Sequence, residues 1–215
     1  MNIYNEYSFA EEYDQFYQTD QGKAVDKAEK AVIGDLLLQV HSKEMLELGC
    51  GTGHWTAFFS KRGFRVTAVD QSEAMLKQAR KKAIPNVEWL RADAAHLPYP
   101  DRRFDLITAI TLFEFAAHRE ALFHEIDRLL RPGGFLIVGW LNLLSEIGRQ
   151  KKNSSTFSRA TLYTPAEIRN HLAFLGTPRF HYAVYYNHHF ELLDEEDDKG
   201  DTQPAFIATI VQKNR

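Results

Sequence analysis

A glycine-rich turn between an apolar strand and a helix constrains this chain more than any other feature. The segment MLELGCGTGHWT, which begins at Met45, runs from apolar residues into Gly49, Gly51 and Gly53 and then into a helical pattern. Glycines at such a turn let the backbone bend sharply and let a ligand approach closer than a β-carbon would allow. The turn predicts a ligand site, although tight helix-to-strand packing alone would also explain the glycines.

Strand-like and helix-like patterns alternate around this turn. After a predicted helix over residues 23–40, helical segments such as SEAMLKQARKKA and REALFHEIDRLL separate the strand patterns MLEL, FRVTAVD, NVEWLRAD, FDLITAIT and FLIVGWL. Helices of about 10 to 15 residues between strands favour parallel pairing through right-handed crossovers. The sequence therefore predicts the α/β class, with a Rossmann-like, doubly wound and mostly parallel sheet.

The rhythm changes near the C-terminus. Thr164, Pro165 and Glu167 supply an N-cap, a first-turn proline and a capping box for the helix PAEIRNHLAFLG. The strand patterns FHYAVYYNHHF and AFIATIVQ then follow without a helix between them. Because such a pair must add an antiparallel strand, we expect a seven-stranded sheet with a C-terminal antiparallel strand.

Two aspartates close the next two strands after the glycine turn. Asp70 follows the start of the turn by about 20 residues, where a carboxylate can accept hydrogen bonds from both hydroxyls of a ribose. An N-cap role is the alternative for Asp70, but Ser72 already offers that cap. Asp93 could accept a hydrogen bond from an exocyclic amine while the Ala94 N–H donates to a ring nitrogen. The pair predicts an adenosine-bearing ligand.

Four segments, ELGCGTG, AVDQS, RADAAHLPYPDRRFDLI and LLRPGGFLIVG, occur in this order from about Glu44 to Gly139. As a set they resemble the class I S-adenosylmethionine-dependent methyltransferases, especially the small-molecule branch similar to quinone-biosynthesis enzymes. The resemblance implies S-adenosyl-L-methionine as the cofactor and a small-molecule methyl acceptor. It implies donor contacts from Gly49, Cys50, Gly51, Asp70, Gln71, Asp93, Ala94, Thr111 and Leu112. It also implies that Tyr13, Tyr17 and Gly22 lie over the donor and acceptor pocket.

Methyl transfer from a sulfonium is an in-line displacement, so the protein must chiefly align the reactants and exclude water. If the acceptor must lose a proton, Glu114 and His118 are the candidate bases, with a structural or surface role as the alternative. We expect an aromatic acceptor pocket that suits a flat or hydrophobic acceptor, or a methylammonium product. Its predicted substrate contacts are Tyr13, Tyr17, Phe113 and Trp140, and the further aromatic candidates are Tyr4, Tyr7, Phe9, Phe16, Trp55 and Phe115; core packing is the alternative for each.

Composition restricts the partners. The formal net charge of −3 lacks the basic field that binding to nucleic acid requires. No apolar run approaches the roughly 20 residues of a membrane span, and the single Cys50 cannot form an intrachain disulfide. The acidic and aromatic start MNIYNEYSFAEEYDQ lacks the pattern of a secretory signal, so we expect none. We expect a cytoplasmic monomer or homodimer, without nucleic acid, membrane or metal.

We expect one methyltransferase domain over residues 1–215. It divides into an N-terminal lid and helix (1–42), a donor-binding core (43–141), an insertion (142–163) and a C-terminal helix and strand pair (164–215). Two other functions stay open. A non-catalytic regulatory protein that binds S-adenosylmethionine would keep the same residues. An NAD(P)-dependent oxidoreductase shares the glycine turn and the acid, but it would leave Asp93 without a role and needs a GxGxxG spacing.

Overall fold

The computed structural model describes residues 10–11, 13–153, 157–194 and 196–214. The described residues form one sheet of eight strands. The strands are β1 (Glu44–Leu48), β2 (Arg65–Asp70), β3 (Val87–Arg91), β4 (Phe104–Ile110), β5 (Leu130–Leu141), β6 (Arg179–Tyr186), β7 (Leu192–Leu193) and β8 (Pro204–Gln212). Beyond residue 13 the α-helices of the described ranges are α1 (Asp20–Leu37), α2 (His54–Lys61), α3 (Glu73–Lys81), α4 (Arg119–Leu129), α5 (Glu146–Gln150) and α6 (Pro165–Leu172).

The sheet has the order β3-β2-β1-β4-β5-β8-β6-β7. β1 to β5 pair in parallel, whereas β8 runs antiparallel to both β5 and β6. The predicted fold class is confirmed, and the C-terminal strand is antiparallel as expected. The sheet has eight strands rather than seven because the two-residue β7 pairs with the end of β6.

The order of the strands reverses at β1. From β1 the chain moves outward through β2 to β3, and it then crosses back to place β4 on the other side of β1. In open α/β sheets, ligands bind in the crevice at such a switch point, beside the carboxyl ends of the strands. The glycine turn follows β1 directly, so this topology places it at the crevice.

The helices cover both faces of the sheet. Alternate residues of each inner strand point to opposite faces: Met45 packs in one apolar cluster with α1 and α2, and Leu46 packs in the other with α4 and α6. Strands that are buried on both faces are typical of parallel sheets. The two clusters fix the strand ends on which the site is built.

Helix α1 begins three residues earlier than the predicted range. Thr19 is its N-cap, with its hydroxyl accepting a 2.9 Å hydrogen bond from the Gly22 N–H. The helix ends at Leu37, and Val40 remains buried beyond the end. Burial of Val40 therefore explains the apolar periodicity that extended the prediction to residue 40.

The insertion leaves and rejoins the sheet at neighbouring points. Asn142 and Tyr163 form an isolated parallel bridge, and α5 and the 3-10 turns Lys151–Asn153 and Phe157–Arg159 lie between them. Within the described ranges, every helix is too short or too polar to cross a lipid bilayer.

Candidate functional site

The glycine turn adopts a backbone conformation that favours glycine. Gly49, Gly51 and Gly53 have φ angles of +70°, +54° and +79°, in the left-handed region that glycine enters without strain. A β-carbon on Gly49 would lie 2.8 Å from Leu112, and one on Gly53 would lie 2.8 Å from Trp89. A β-carbon on Gly51 would meet no atom of the described chain within 4 Å. Gly49 and Gly53 thus serve packing as well, whereas Gly51 leaves open space beside the loop.

Asp70 ties the end of β2 to this turn. Its Oδ2 accepts a 2.8 Å hydrogen bond from the Gly51 N–H, and its Oδ1 accepts one of 2.8 Å from the Ser72 N–H. Burial raises the pKa of the Asp70 carboxyl, although the backbone hydrogen bonds oppose that shift. Ser72 itself caps α3 through the Met75 N–H, so the cap does not depend on Asp70. A carboxylate with about four lone-pair sites keeps acceptor capacity for a ligand.

Asp93 lies at the end of the neighbouring strand. Its Oδ1 accepts a 3.0 Å hydrogen bond from the Ala95 N–H, which holds the turn after β3. More than half of its side-chain surface is exposed, at 57%. Both Asp93 and Ala94 line the same cavity as Asp70. The edge of this cavity therefore offers an acceptor beside a backbone segment, as adenine recognition requires.

A single cavity of about 640 Å³ brings the predicted donor residues together. Ligand sites for small molecules commonly have volumes of about 300 to 1,000 Å³. The structure places every predicted donor contact in the wall of this cavity: Gly49, Cys50, Gly51, Asp70, Gln71, Asp93, Ala94, Thr111 and Leu112.

The segment after β4 forms another side of the cavity. Thr111 has a φ of +49°, an uncommon backbone conformation for a β-branched residue. Its N–H donates a 2.8 Å hydrogen bond to the Gly139 carbonyl on β5, which holds this conformation. The next residue, Leu112, packs beside Gly49, because its Cδ1 lies only 2.8 Å from the position that a β-carbon on Gly49 would take.

Glu114 lies against the cavity but has no exposed surface. Its Oε1 accepts a 2.7 Å hydrogen bond from the Leu141 N–H, and its main-chain carbonyl accepts one of 2.8 Å from the Thr161 N–H. Its Oε2 has no hydrogen-bond partner among the described residues, and burial raises the pKa of the carboxyl to about 7. Glu114 therefore joins the β4 segment to β5 and the insertion. The other predicted base, His118, is exposed and lines the cavity at the start of α4.

The N-terminal segment supplies a wall of the cavity through Tyr13 and Tyr17. Asp14 fastens this wall to the glycine turn: its Oδ1 accepts a 2.6 Å hydrogen bond from Thr52 Oγ1, and its Oδ2 lies 2.5 Å from Lys82 Nζ. These contacts join the N-terminal 3-10 turn (Tyr13–Gln18) to the glycine turn and to the C-terminal end of α3.

A histidine that the sequence analysis missed also lines the cavity. His54 follows the glycine turn, and its ring stacks on Tyr17 with centroids 3.7 Å apart. His54 Nε2 lies 2.6 Å from Asp26 Oδ1, and Lys30 Nζ donates a 2.7 Å hydrogen bond to Asp26 Oδ2. The spacing of Asp26 and Lys30 in the sequence is that of an i, i+4 pair on a helix. The contact between Asp26 and His54, by contrast, joins residues that are 28 positions apart. Only the tertiary fold brings them together.

Two predicted substrate residues lie elsewhere. Phe113 and Trp140 have no exposed surface, stack on each other with centroids 4.8 Å apart, and do not line the cavity. Trp140 Nε1 donates a 2.9 Å hydrogen bond to Thr209 Oγ1 on β8. Both rings belong to the core, which corrects the expectation that they contact an acceptor.

Other predicted positions fall into three groups. Gly22 is buried against the Phe16 carbonyl and is not among the residues that line the cavity. Phe16 is 46% exposed and also lies outside the cavity wall. Trp55 and Phe115 do line the cavity. Tyr4, Tyr7 and Phe9 lie outside the described residues.

Residues 46–138 match the family model described as a methyltransferase domain. Over 99% of its length the chain is 28% identical to an uncharacterized protein of Methanocaldococcus jannaschii, of which it covers 100%. It is 38% identical, over 44% of its length, to the ubiquinone/menaquinone biosynthesis C-methyltransferase of Escherichia fergusonii, of which it covers 41%. The chain thus spans less than half of the latter enzyme.

A solved structure is similar over nearly the whole chain. It is an S-adenosylmethionine-dependent methyltransferase from Thermotoga maritima, described as a possible histamine N-methyltransferase. The TM-score is 0.79 at 25% identity, over 97% of this chain and 98% of that one.

Proposed function

We propose, from the premise that this chain is a class I S-adenosylmethionine-dependent methyltransferase, that it transfers the methyl group to a small-molecule acceptor. One observation carries the proposal. The open glycine turn after β1 and the acids after β2 and β3 border one cavity, as the parts of an adenosine-bearing donor require.

The proposed donor site fits the residues that are present. Because no described atom lies within 4 Å of the position of a β-carbon on Gly51, a ligand can approach that backbone closely. We assign the ribose hydroxyls to Asp70, and the adenine to Asp93, Ala94 and Gln71. The methionyl portion is assigned to Gly49, Cys50, Gly51, Thr111 and Leu112. When bound, S-adenosylmethionine supplies a methyl group on a positively charged sulfur.

The chain contributes alignment and exclusion of water in this proposal. Tyr13, Tyr17, Trp55 and Phe115 provide aromatic wall beside the donor residues. Asp14 holds the N-terminal part of that wall through Thr52 and Lys82. Apolar walls that keep reactants in a fixed geometry lower the entropic part of the barrier.

The sequence predicts two candidate proton acceptors, Glu114 and His118, and only one of them has exposed surface. Glu114 has no exposed surface, so we assign it the role of positioning the β4 segment. His118 is exposed at the cavity wall and is the proposed base for an acceptor that must lose a proton.

A small acceptor is supported by the cavity volume of about 640 Å³ and by the functions for which two similar proteins are named. The E. fergusonii enzyme acts in ubiquinone and menaquinone biosynthesis, and the T. maritima protein is described as a possible histamine N-methyltransferase. A net charge of −3 supports a function without nucleic acid. We further propose a single domain, a cytoplasmic location and a monomer or homodimer.

The test is a transfer assay with tritiated S-adenosylmethionine and a panel of amines, phenols and carboxylates of low molecular weight. We expect label to pass to at least one small acceptor, and an Asp70→Ala variant to lose at least nine-tenths of that rate at low donor concentration. Transfer only to protein or nucleic acid would contradict the proposal. Donor binding without transfer to any acceptor would favour the regulatory alternative.

A further inference from the structure

One end of the cavity is lined by basic side chains from two separate elements. His118 and Arg119 stand at the start of α4, and Arg159 ends the 3-10 turn Phe157–Arg159 of the insertion. We call this group of three the basic end. Among the described residues, the acids that line the cavity are Asp70 and Asp93, which belong to the proposed donor site, and Glu114, which has no exposed surface. The other ionisable side chains of arginine and histidine in the cavity wall are basic, and Arg119 and Arg159 carry the permanent positive charges.

The guanidinium of Arg119 is held in place by neighbouring groups. Its Nε donates a 3.0 Å hydrogen bond to the Phe113 carbonyl, and its Nη2 donates a 2.7 Å hydrogen bond to Thr161 Oγ1. A guanidinium carries five N–H donors, so these two bonds fix its plane without using all of them. Nη1 makes no hydrogen bond to the described part of the chain. A fixed guanidinium loses little entropy when it binds an anion.

The insertion adds to the positive potential near the basic end. Residues 142–163 contain four basic side chains, Arg149, Lys151, Lys152 and Arg159, and one acid, Glu146. Arg149 pairs with Glu146 at 2.8 Å, and Lys151 donates a 2.7 Å hydrogen bond to the Ala160 carbonyl. A cluster of one sign beside a low-dielectric cavity raises the local concentration of ligands of opposite sign.

We infer that Arg119 and Arg159 bind an anionic oxygen group, a carboxylate or a phosphate, on the methyl acceptor. Arginine matches the geometry of both groups with paired N–H donors. The inference rests on the proposed function, since it assumes that donor and acceptor share this cavity. A donor with a positive sulfur in the same cavity also favours an anionic acceptor over a cationic amine.

The test uses calorimetry on the full chain saturated with S-adenosylhomocysteine. The probes are benzoate and phenyl phosphate, with benzamide and benzylamine as the neutral and cationic counterparts. We expect each anion to bind at least tenfold more tightly than benzamide. Arg119→Gln and Arg159→Gln should each reduce that preference at least fivefold. Lys61→Gln, which removes an exposed basic side chain at the end of α2 and outside the cavity wall, should leave it within twofold.

Equal binding of benzoate and benzamide, or a preference for benzylamine, would overturn the inference. It would also be overturned if Arg119→Gln weakened S-adenosylhomocysteine tenfold but left 5′-methylthioadenosine unchanged, because the arginine would then bind the carboxylate of the donor. Arg159 is exposed, so Arg159→Gln tests the inference even where Arg119→Gln lowers stability. If S-adenosylhomocysteine does not bind the unaltered chain, the proposed function fails first and the inference fails with it.

Discussion

Asp70 shows how one side chain connects the fold to the proposed chemistry. It accepts hydrogen bonds from Gly51 and Ser72, so it shapes the donor turn before any ligand is bound. Burial raises the pKa of its carboxyl. The ionised carboxylate only accepts hydrogen bonds and accepts them more strongly than the protonated acid, which also carries an O–H donor, so the state of this one group should govern donor binding.

Donor binding should therefore depend on pH through Asp70. The ordinary pKa of an aspartate is about 4. Because the pKa of Asp70 is raised, its carboxyl becomes protonated at a higher pH than an ordinary aspartate does. We expect the affinity for S-adenosylhomocysteine, measured by calorimetry from neutral to mildly acidic pH, to fall within that window. In Asp70→Asn the remaining affinity should vary less over the same range. An unchanged affinity of the folded protein across this range would contradict the role of Asp70.

Glu47 offers a second residue-scale prediction, this time for stability. Its side chain is buried behind the turn and accepts a 2.6 Å hydrogen bond from Thr56 Oγ1, and burial raises its pKa to about 8. A raised pKa means that the folded state prefers the protonated acid, so stability is lost as pH rises from the unfolded value of about 4.3 towards 8.

Replacing Glu47 by glutamine removes this ionisation. The unaltered chain should lose free energy of unfolding as the pH rises from about 6 to about 9. Over the same range, Glu47→Gln should lose roughly 1 to 3 kcal/mol less. Urea unfolding at several pH values would measure it, with the exposed Glu88→Gln on β3 as a control that leaves the pH profile unchanged. Parallel profiles for Glu47→Gln and the unaltered chain would show that Glu47 ionises normally in the fold.

Residue-scale prediction from the sequence was strongest where the spacing of glycines and strand-end acids decides the position. All nine predicted donor residues line one cavity, because each follows directly from the end of a parallel strand. Phe113 and Trp140 could not be separated from pocket residues by pattern, since aromatic rings at strand ends look the same in a core. The Asp26–His54 contact depends on tertiary packing and leaves no local signal.

At the scale of elements, local signals located the start of α6, where the capping residues were recognised, but they missed the Thr19 cap at the start of α1. The capping box of α6 is present as predicted: Thr164 Oγ1 accepts from the Glu167 N–H, and the Glu167 carboxylate accepts from the Thr164 N–H. Loss of such a cap usually costs about 1 kcal/mol. Thr164→Ala should lower the free energy of unfolding by about that amount in urea titration.

Thr177→Ala gives the matched control for the cap, because this exposed threonine lies in the loop after α6. We expect that substitution to change the free energy of unfolding by less than about 0.5 kcal/mol. Equal effects of the two substitutions would mean that the box contributes nothing specific to α6.

The N-terminal 3-10 turn is a second element with a testable role, in this case in function. Asp14 joins it to Thr52 and Lys82, so we propose that this carboxylate contributes to holding the turn over the donor, beside the stacking of Tyr17 on His54. Asp14→Ala should speed dissociation of S-adenosylhomocysteine at least threefold in stopped-flow fluorescence. Asp20→Ala, in the exposed first turn of α1, should leave the rate unchanged. An unaltered dissociation rate in Asp14→Ala would remove the proposed lid role.

At the scale of the whole molecule, the pairing of the parallel strands β1 to β5 could be predicted from the sequence. The pairing of the antiparallel strands β6 to β8 could be predicted only in part. Each parallel strand is joined to the next through a local crossover, so alternation of patterns is enough to predict β1 to β5. β8 inserts between β5 and β6, which is a long-range pairing that no local pattern specifies. The brief pairing of β7 is too short to leave a strand signal.

The central claim is that the strand ends at the switch point of this sheet form one donor site, and calorimetry of S-adenosylhomocysteine tests it most directly. We predict micromolar binding to the unaltered chain, and at least tenfold weaker binding to Asp70→Ala, a loss of about 1.4 kcal/mol or more. Gly51→Val should weaken binding as strongly, because valine would strain a backbone with a φ of +54° and its side chain would occupy the open space beside the turn. Tighter binding of a nicotinamide dinucleotide, or full affinity in both variants, would contradict the account.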